Sequence, residues 1–191
     1  IKAIIWDLGG VIVRTEDFAP REKLAADLGV SRAELEERVF GGHAGAKAQC
    51  GETSSADLWE YNQEKYGLSP KGLLDFRRRF FGGDVVDYEL VDYIRSLKEQ
   101  FTTALLSNAF ADLRLLVTER WKIGDAFDSL TISAEIGVMK PDARAYQIAL
   151  ERAGIEAAQA VFIDDFQHNI EGAKAVGMHG ILFKSPEQVK S

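Results

Sequence analysis

Four short apolar runs, at residues 3–6, 102–106, 160–163 and 181–183, restrict the possible folds more than any other feature of the chain. Each is rich in Val, Ile, Leu, Phe or Ala and lacks strict polar alternation. A strand with one wet face alternates, whereas a strand covered on both faces need not. Residues 129–133 form a weaker candidate strand. Helical patterns lie between the runs. Residues 89–99 place Leu90, Ile94 and Leu97 on one stripe. Residues 143–153 do the same with Ala145, Ile148 and Ala149, and Gly154 is a natural stop. Residues 170–176 form a short helix closed by Gly177. Strands alternating with helices predict an α/β fold with an open parallel sheet.

The stretch from Thr15 to Gly83 breaks this rhythm and offers no convincing strand. It reads as helices at residues 17–28, 31–40, 54–66 and 70–81. Ser31 and Glu34 have capping-box spacing, and Ser69-Pro70 is a second helix start. A helical insertion is therefore expected directly after the first strand. The expected division is a core of residues 1–14 and 84–191 with the insertion at residues 15–83.

The 191 residues are 46% hydrophobic, enough for a real core, and carry a net charge of −7. An acidic chain repels phosphate backbones, so no nucleic-acid partner is expected. The single cysteine, Cys50, excludes an internal disulfide framework. The chain opens on Ile1 rather than methionine, as expected if the first native residues are missing. No apolar run approaches 18 residues and no signal-like leader is seen. A cytoplasmic protein without a membrane partner is expected; the oligomeric state is left open.

Ligands of an open α/β sheet sit beyond the carboxyl ends of its strands. There the first run delivers Asp7, the second Ser107 and Asn108, and the third Asp164 and Asp165. Lys140-Pro141 follows the weaker strand. Taken singly, Ser107-Asn108 reads as a turn and Lys140 as a surface lysine before a helix-starting proline. Together they form a constellation. Carboxylates crowded at one sheet edge need a proton or a hard cation, and Mg²⁺ suits such oxygen ligands. Lys140 would balance a bound phosphoryl group, and Ser107 and Asn108 would donate hydrogen bonds to it. This set predicts phosphoryl transfer through a carboxylate nucleophile.

W-D-L-G-G-V around Asp7, L-L-S-N-A around Ser107, G-V-M-K-P-D around Lys140 and F-I-D-D-F-Q-H-N around Asp164 and Asp165 resemble the haloacid dehalogenase-like (HAD) hydrolases. The resemblance covers almost the whole chain. It implies a Rossmann-like core with an α-helical cap inserted after the first strand. It also implies that Asp7 forms an aspartyl-phosphate while Ser107 and Lys140 hold the phosphoryl group. Mg²⁺ would bind Asp7, Asp165 and the carbonyl of Gly9, with Asp164 and Asn169 supporting or completing the shell. The expected substrate is a small phosphorylated metabolite.

Gly9 departs from the family's usual Asp-x-Asp, whose second aspartate protonates the leaving group. General acid–base help is worth about 10²–10⁴-fold, so good leaving groups are favoured. The text is also similar to a helical-cap subgroup that includes bacterial α-D-glucose-1-phosphate phosphatase, which shares the glycine. Two alternatives stay open. A haloacid dehalogenase also lacks the second aspartate, but has no use for the Asp164-Asp165 pair. A non-catalytic phospho-ligand binder would explain the missing acid. Finally, G-G-H-A-G-A-K at residues 41–47 has the wrong spacing for a phosphate-binding loop. It is expected to be a loop between helices, with His43, Lys47 or Gln49 reading the leaving group.

Overall fold

The computed structural model describes residues 1–190. Seven strands form: β1 (Ala3–Trp6), β2 (Val13–Thr15), β3 (Asp84–Val86), β4 (Thr102–Ser107), β5 (Ser129–Ile132), β6 (Ala160–Asp164) and β7 (His179–Leu182). Five make one sheet in the order β5-β4-β1-β6-β7, with every pairing parallel. The open parallel α/β sheet read from the apolar runs is therefore the fold, and it is Rossmann-like, as the family resemblance implied.

The absence of alternation in the runs has a direct cause. Ala3 and Ile5 of β1 join a cluster with Ala104, Leu106 and Phe162, covered by α-helical residues Ala145, Tyr146, Ala149, Ile170 and Ala173. Trp6 points into a second cluster with Leu105, Ile163 and Ile132, covered by Leu90, Val91 and Ile94. Burying each large apolar side chain stabilises the fold by roughly 1.5–3 kcal/mol.

Between β2 and β3 the chain is helical: α1 (Ala19–Asp27), α2 (Arg32–Glu36), a π-helical turn (Glu37–Gly41), α3 (His43–Gln49), α4 (Ser55–Lys65) and α5 (Pro70–Phe80). The Ser31–Glu34 capping box forms as expected, and Ser54 and Asp57 form another. Ser69 caps α5 by accepting from Gly72 N–H, with Pro70 in its first turn. These helices close on their own core of Leu24, Leu35, Val39, Leu58, Trp59, Phe76 and Phe80. Strands β2 and β3 pair antiparallel as a short stem below them, Val13 opposite Val86 and Thr15 opposite Asp84.

Residues 43–49 correct the expected loop, because they form a helix. Their one glycine, Gly45, serves close packing. A Cβ on Gly45 would strike the backbone of Val39 and Phe40. The rest of the chain supplies α6 (Tyr88–Leu97), α7 (Leu113–Leu115), α8 (Ser133–Ile136), α9 (Ala143–Ala153), α10 (Gln167–Ala175) and α11 (Pro186–Lys190). Among the described residues, no helix is long and apolar enough to cross a membrane.

Candidate active site

β1 lies between β4 and β6, with Trp6 level with both Leu105 and Ile163. The residue just after β1 is Asp7, whose N–H donates to Ile163 O at 2.8 Å. Adjacent strands stand about 4.8 Å apart, so residues leaving β1, β4 and β6 at one edge become neighbours. This placement joins Asp7, Ser107 and Asp164, which are distant in sequence.

Lys140 is the hub. Its side chain is 1% exposed, and its Nζ lies 2.9 Å from Asp7 Oδ1 and 2.7 Å from Asp164 Oδ2. The ammonium also sits 5.1 Å from the centroid of the Phe162 ring. Asn108 holds the lysine's backbone from both sides. Its Nδ2 donates to Lys140 O at 2.9 Å, and its Oδ1 accepts from Lys140 N–H at 2.8 Å. The Lys140–Pro141 peptide is cis.

The carboxylates differ in how they are held. Asp164 is saturated: Oδ1 accepts from Phe166 N–H at 2.7 Å, Oδ2 from Lys140, and both from Asn169 Nδ2 at 3.0 Å. Asp7 Oδ1 also accepts from Leu8 N–H at 2.7 Å. In contrast, the buried Oδ1 atoms of Asp165 and Asn169 have no hydrogen-bond partner. Buried polar oxygens are costly to leave unpaired. Asp165 comes close only because Gly10 lacks a side chain. A Cβ there would strike its carboxylate, and Gly10 has φ +76°. Ser107, the last residue of β4, is 4% exposed.

Three carboxylates beside one ammonium leave excess negative charge in a buried place. Burial pushes Asp7 up to about 7, opposed by Lys140 and reinforced by Asp164. Burial, with Asp164 beside it, pushes Asp165 up to about 6. One oxygen from each of Asp7, Asp164 and Asp165 lies within 4.8 Å of the others. Hard oxygen donors, excess negative charge and two unpaired buried oxygens fit a hard divalent cation.

His43 and Lys47 stand on α3. They line a groove of about 230 Å³ with Thr53, Asp57 and Tyr61, all from the helical segment. Gln49 is buried and donates to Phe40 O. Nothing in the sequence pattern marked the clamp of Asn108 on Lys140, because the partners are 32 residues apart.

The model of the haloacid dehalogenase-like hydrolases matches residues 1–177, and this chain belongs to that family of hydrolases. The chain is 27% identical over 185 residues to the sesquiterpene phosphatase astK of Aspergillus oryzae, covering 94% of this chain and 88% of that protein. It is 25% identical over 186 residues to the D-ribitol-5-phosphate phosphatase of Bacteroides thetaiotaomicron, covering 93% and 89%. Among solved structures, a HAD-family enzyme of Bacteroides thetaiotaomicron in complex with magnesium and inorganic phosphate superposes with TM-score 0.81. That likeness is at 22% identity over 96% of this chain and 94% of the other, and it shows the shared fold.

Proposed function

We propose that the protein is a Mg²⁺-dependent phosphatase of small phosphate monoesters, with Asp7 as nucleophile. The observation that carries this reading is the buried Lys140 bridging Asp7 and Asp164 beside the underpaired Asp165. The phosphatase names of the two relatives support it.

In this reading the helices between β2 and β3 act as a cap over the sheet edge. Asp7 Oδ1 is held by Lys140 and Leu8 N–H, so Oδ2 attacks phosphorus. The P–O bond to the alcohol breaks as the aspartyl-phosphate forms, and the alcohol oxygen keeps the bonding pair. Water then attacks that phosphorus and frees Asp7 with inorganic phosphate. An ammonium has three donors. Two of Lys140's face Asp7 and Asp164, and the third is available to a phosphoryl oxygen. Ser107 donates a further hydrogen bond to the phosphoryl group. Asn108 keeps Lys140 in register, and Asp164 fixes its ammonium. Asp7, Asp165 and the carbonyl of Gly9 would hold Mg²⁺, with Asp164 and Asn169 completing its surroundings. The cation would supply charge neutralisation for the phosphoryl oxygens.

Gly9 leaves no carboxylic acid at its position, so departure of the alcohol depends on its own acidity. Judged by the acidity of the leaving oxygen alone, aryl and acyl phosphates and sugar 1-phosphates are the favoured esters. The acidic pair argues against the dehalogenase alternative, because extra carboxylates repel a carboxylate substrate. A phosphate-release screen with and without Mg²⁺ tests the proposal. Turnover is expected with the cation, and Asp7→Asn should lower kcat by at least about 10³-fold. Folded protein with Mg²⁺ that hydrolyses no phosphate ester, or a near-normal Asp7→Asn, would overturn it. Phosphate-analogue binding without turnover would point to the binding-protein alternative.

A further inference from the structure

We infer that the substrate's alcohol part is apolar, an aryl or long alkyl group, and that Phe40 and Phe81, backed by the buried Phe110, receive it. The inference rests on the phosphatase reading. It begins at Phe110, three residues beyond Ser107 and so within about 11 Å of it along the chain. Phe110 belongs to the core side of the molecule, yet its ring is buried in the cluster of the cap helices. It stacks on Phe40 of the π-helical turn, centroids 6.2 Å apart and planes at 16°. It also meets the edge of Trp59 at 6.2 Å. Phe81, just past α5, completes the set at 6.3 Å from Phe40 and 5.9 Å from Trp59.

The burial pattern separates packing rings from receiving rings. Trp59, Phe76 and Phe80 are 5%, 1% and 0% exposed, as a cap core requires. Phe40 and Phe81 touch the same rings yet stay 38% and 36% exposed. Scattered exposed apolar residues are ordinary, but these two are in contact with each other and continuous with the chain leaving Ser107. A backbone device holds Phe40 there. The turn at Glu37–Gly41 is π-helical, a form frequent at functional sites, and the buried Gln49 side chain donates to Phe40 O. An alcohol leaving the Ser107–Lys140 region along this route meets ring faces. A polyol would lose water there without gaining hydrogen-bond partners, whereas an apolar group gains burial.

The test compares esters with similar leaving oxygens in the wild-type protein with Mg²⁺. Hexyl phosphate is set against a pentitol 5-phosphate, and 2-naphthyl phosphate against phenyl phosphate bearing a 4-sulfonate. Acetyl phosphate, whose acyl part is too small to span the rings, is the reference. The apolar member of each pair should have at least tenfold higher kcat/KM, expressed mainly in KM. Phe40→Ala and Phe81→Ala should each lower the naphthyl-to-acetyl selectivity ratio about five- to tenfold, and Phe40→Leu should recover most of it. Preference for the polyol or sulfonated ester, with acetyl phosphate turned over, overturns this inference and leaves the phosphatase reading standing. Failure to hydrolyse acetyl phosphate and all the others overturns the phosphatase reading itself.

Discussion

Gly9 and Gly10 stand side by side after Asp7 and carry different constraints. Gly10 has φ +76° and a Cβ there would strike Asp165. Gly10→Ala is therefore expected to cost about 1–2 kcal/mol from backbone strain alone and to displace the Asp165 carboxylate. Gly9 is the opposite case: its φ is not left-handed, and a Cβ would meet nothing within 4 Å. A Cβ is accommodated there, so the glycine answers to no steric demand at that atom. Gly9→Asp should raise kcat on primary alkyl phosphates by about tenfold or more, within the range of general acid catalysis, and raise it far less on aryl phosphates. Equal acceleration of both, measured by phosphate release, would mean that protonation of the alcohol is not what limits the enzyme. At this scale the sequence revealed which side chains gather, because strand ends of a parallel sheet share an edge. It did not reveal how they are held. The saturation of Asp164 and the clamp of Asn108 depend on loop geometry that residue spacing does not encode.

The elements that were legible are those whose burial leaves a pattern. The central strands β1, β4 and β6 are apolar because both faces are covered, and α2 and α5 announce their starts with Ser31 and Ser69. The stem was not legible. β2 and β3 have three residues each, none of them fully buried, so no periodicity emerges. Helix α3 was hidden by the Gly-Gly-x-x-Gly stretch, which suggested a loop, although Gly45 serves close contact. Also invisible was the tie between the helices and their stem. Arg21 on α1 is 5% exposed. Its Nε donates to Phe80 O at 2.8 Å, its Nη1 to Glu36 and its Nη2 to Asp84, both at 2.9 Å. Asp84 Oδ1 also accepts from Thr15 Oγ1 at 2.6 Å. One guanidinium thus connects α1, the ends of α2 and α5, and both stem strands. Arg21→Ala should destabilise the protein by about 2–3 kcal/mol, less than a fully buried pair costs because Glu36 and Asp84 keep some exposure. Arg21→Lys should recover only part, since an ammonium cannot reproduce the fork. Urea unfolding of both variants checks this, and a loss below 0.5 kcal/mol would show that the stem holds without Arg21.

For the molecule as a whole, the same charges that suit a cation cost the cation-free protein stability. Asp7 and Asp165 have folded pKa values raised to about 7 and about 6 from 3.8. A raised carboxylate pKa means the folded state holds its proton longer than the unfolded state. Their contribution is therefore absent below about pH 4 and becomes increasingly unfavourable as pH rises toward 7. A cation reverses this by taking the proton's place, so its binding competes with protonation. Thermal melts with excess Mg²⁺ against EDTA should show a larger rise in Tm at pH 8 than at pH 5. Asp165→Asn removes one of the opposed charges. In EDTA it should stabilise the protein by about 1 kcal/mol at pH 8, after discounting for the partial exposure of Asp165, and by little at pH 4. The same variant should lose most of the Mg²⁺ shift at pH 8. If it keeps the full shift, the cation binds elsewhere. If the shift is equal at both pH values, the cation does not displace protons from Asp7 and Asp165, and the proposed metal site is wrong.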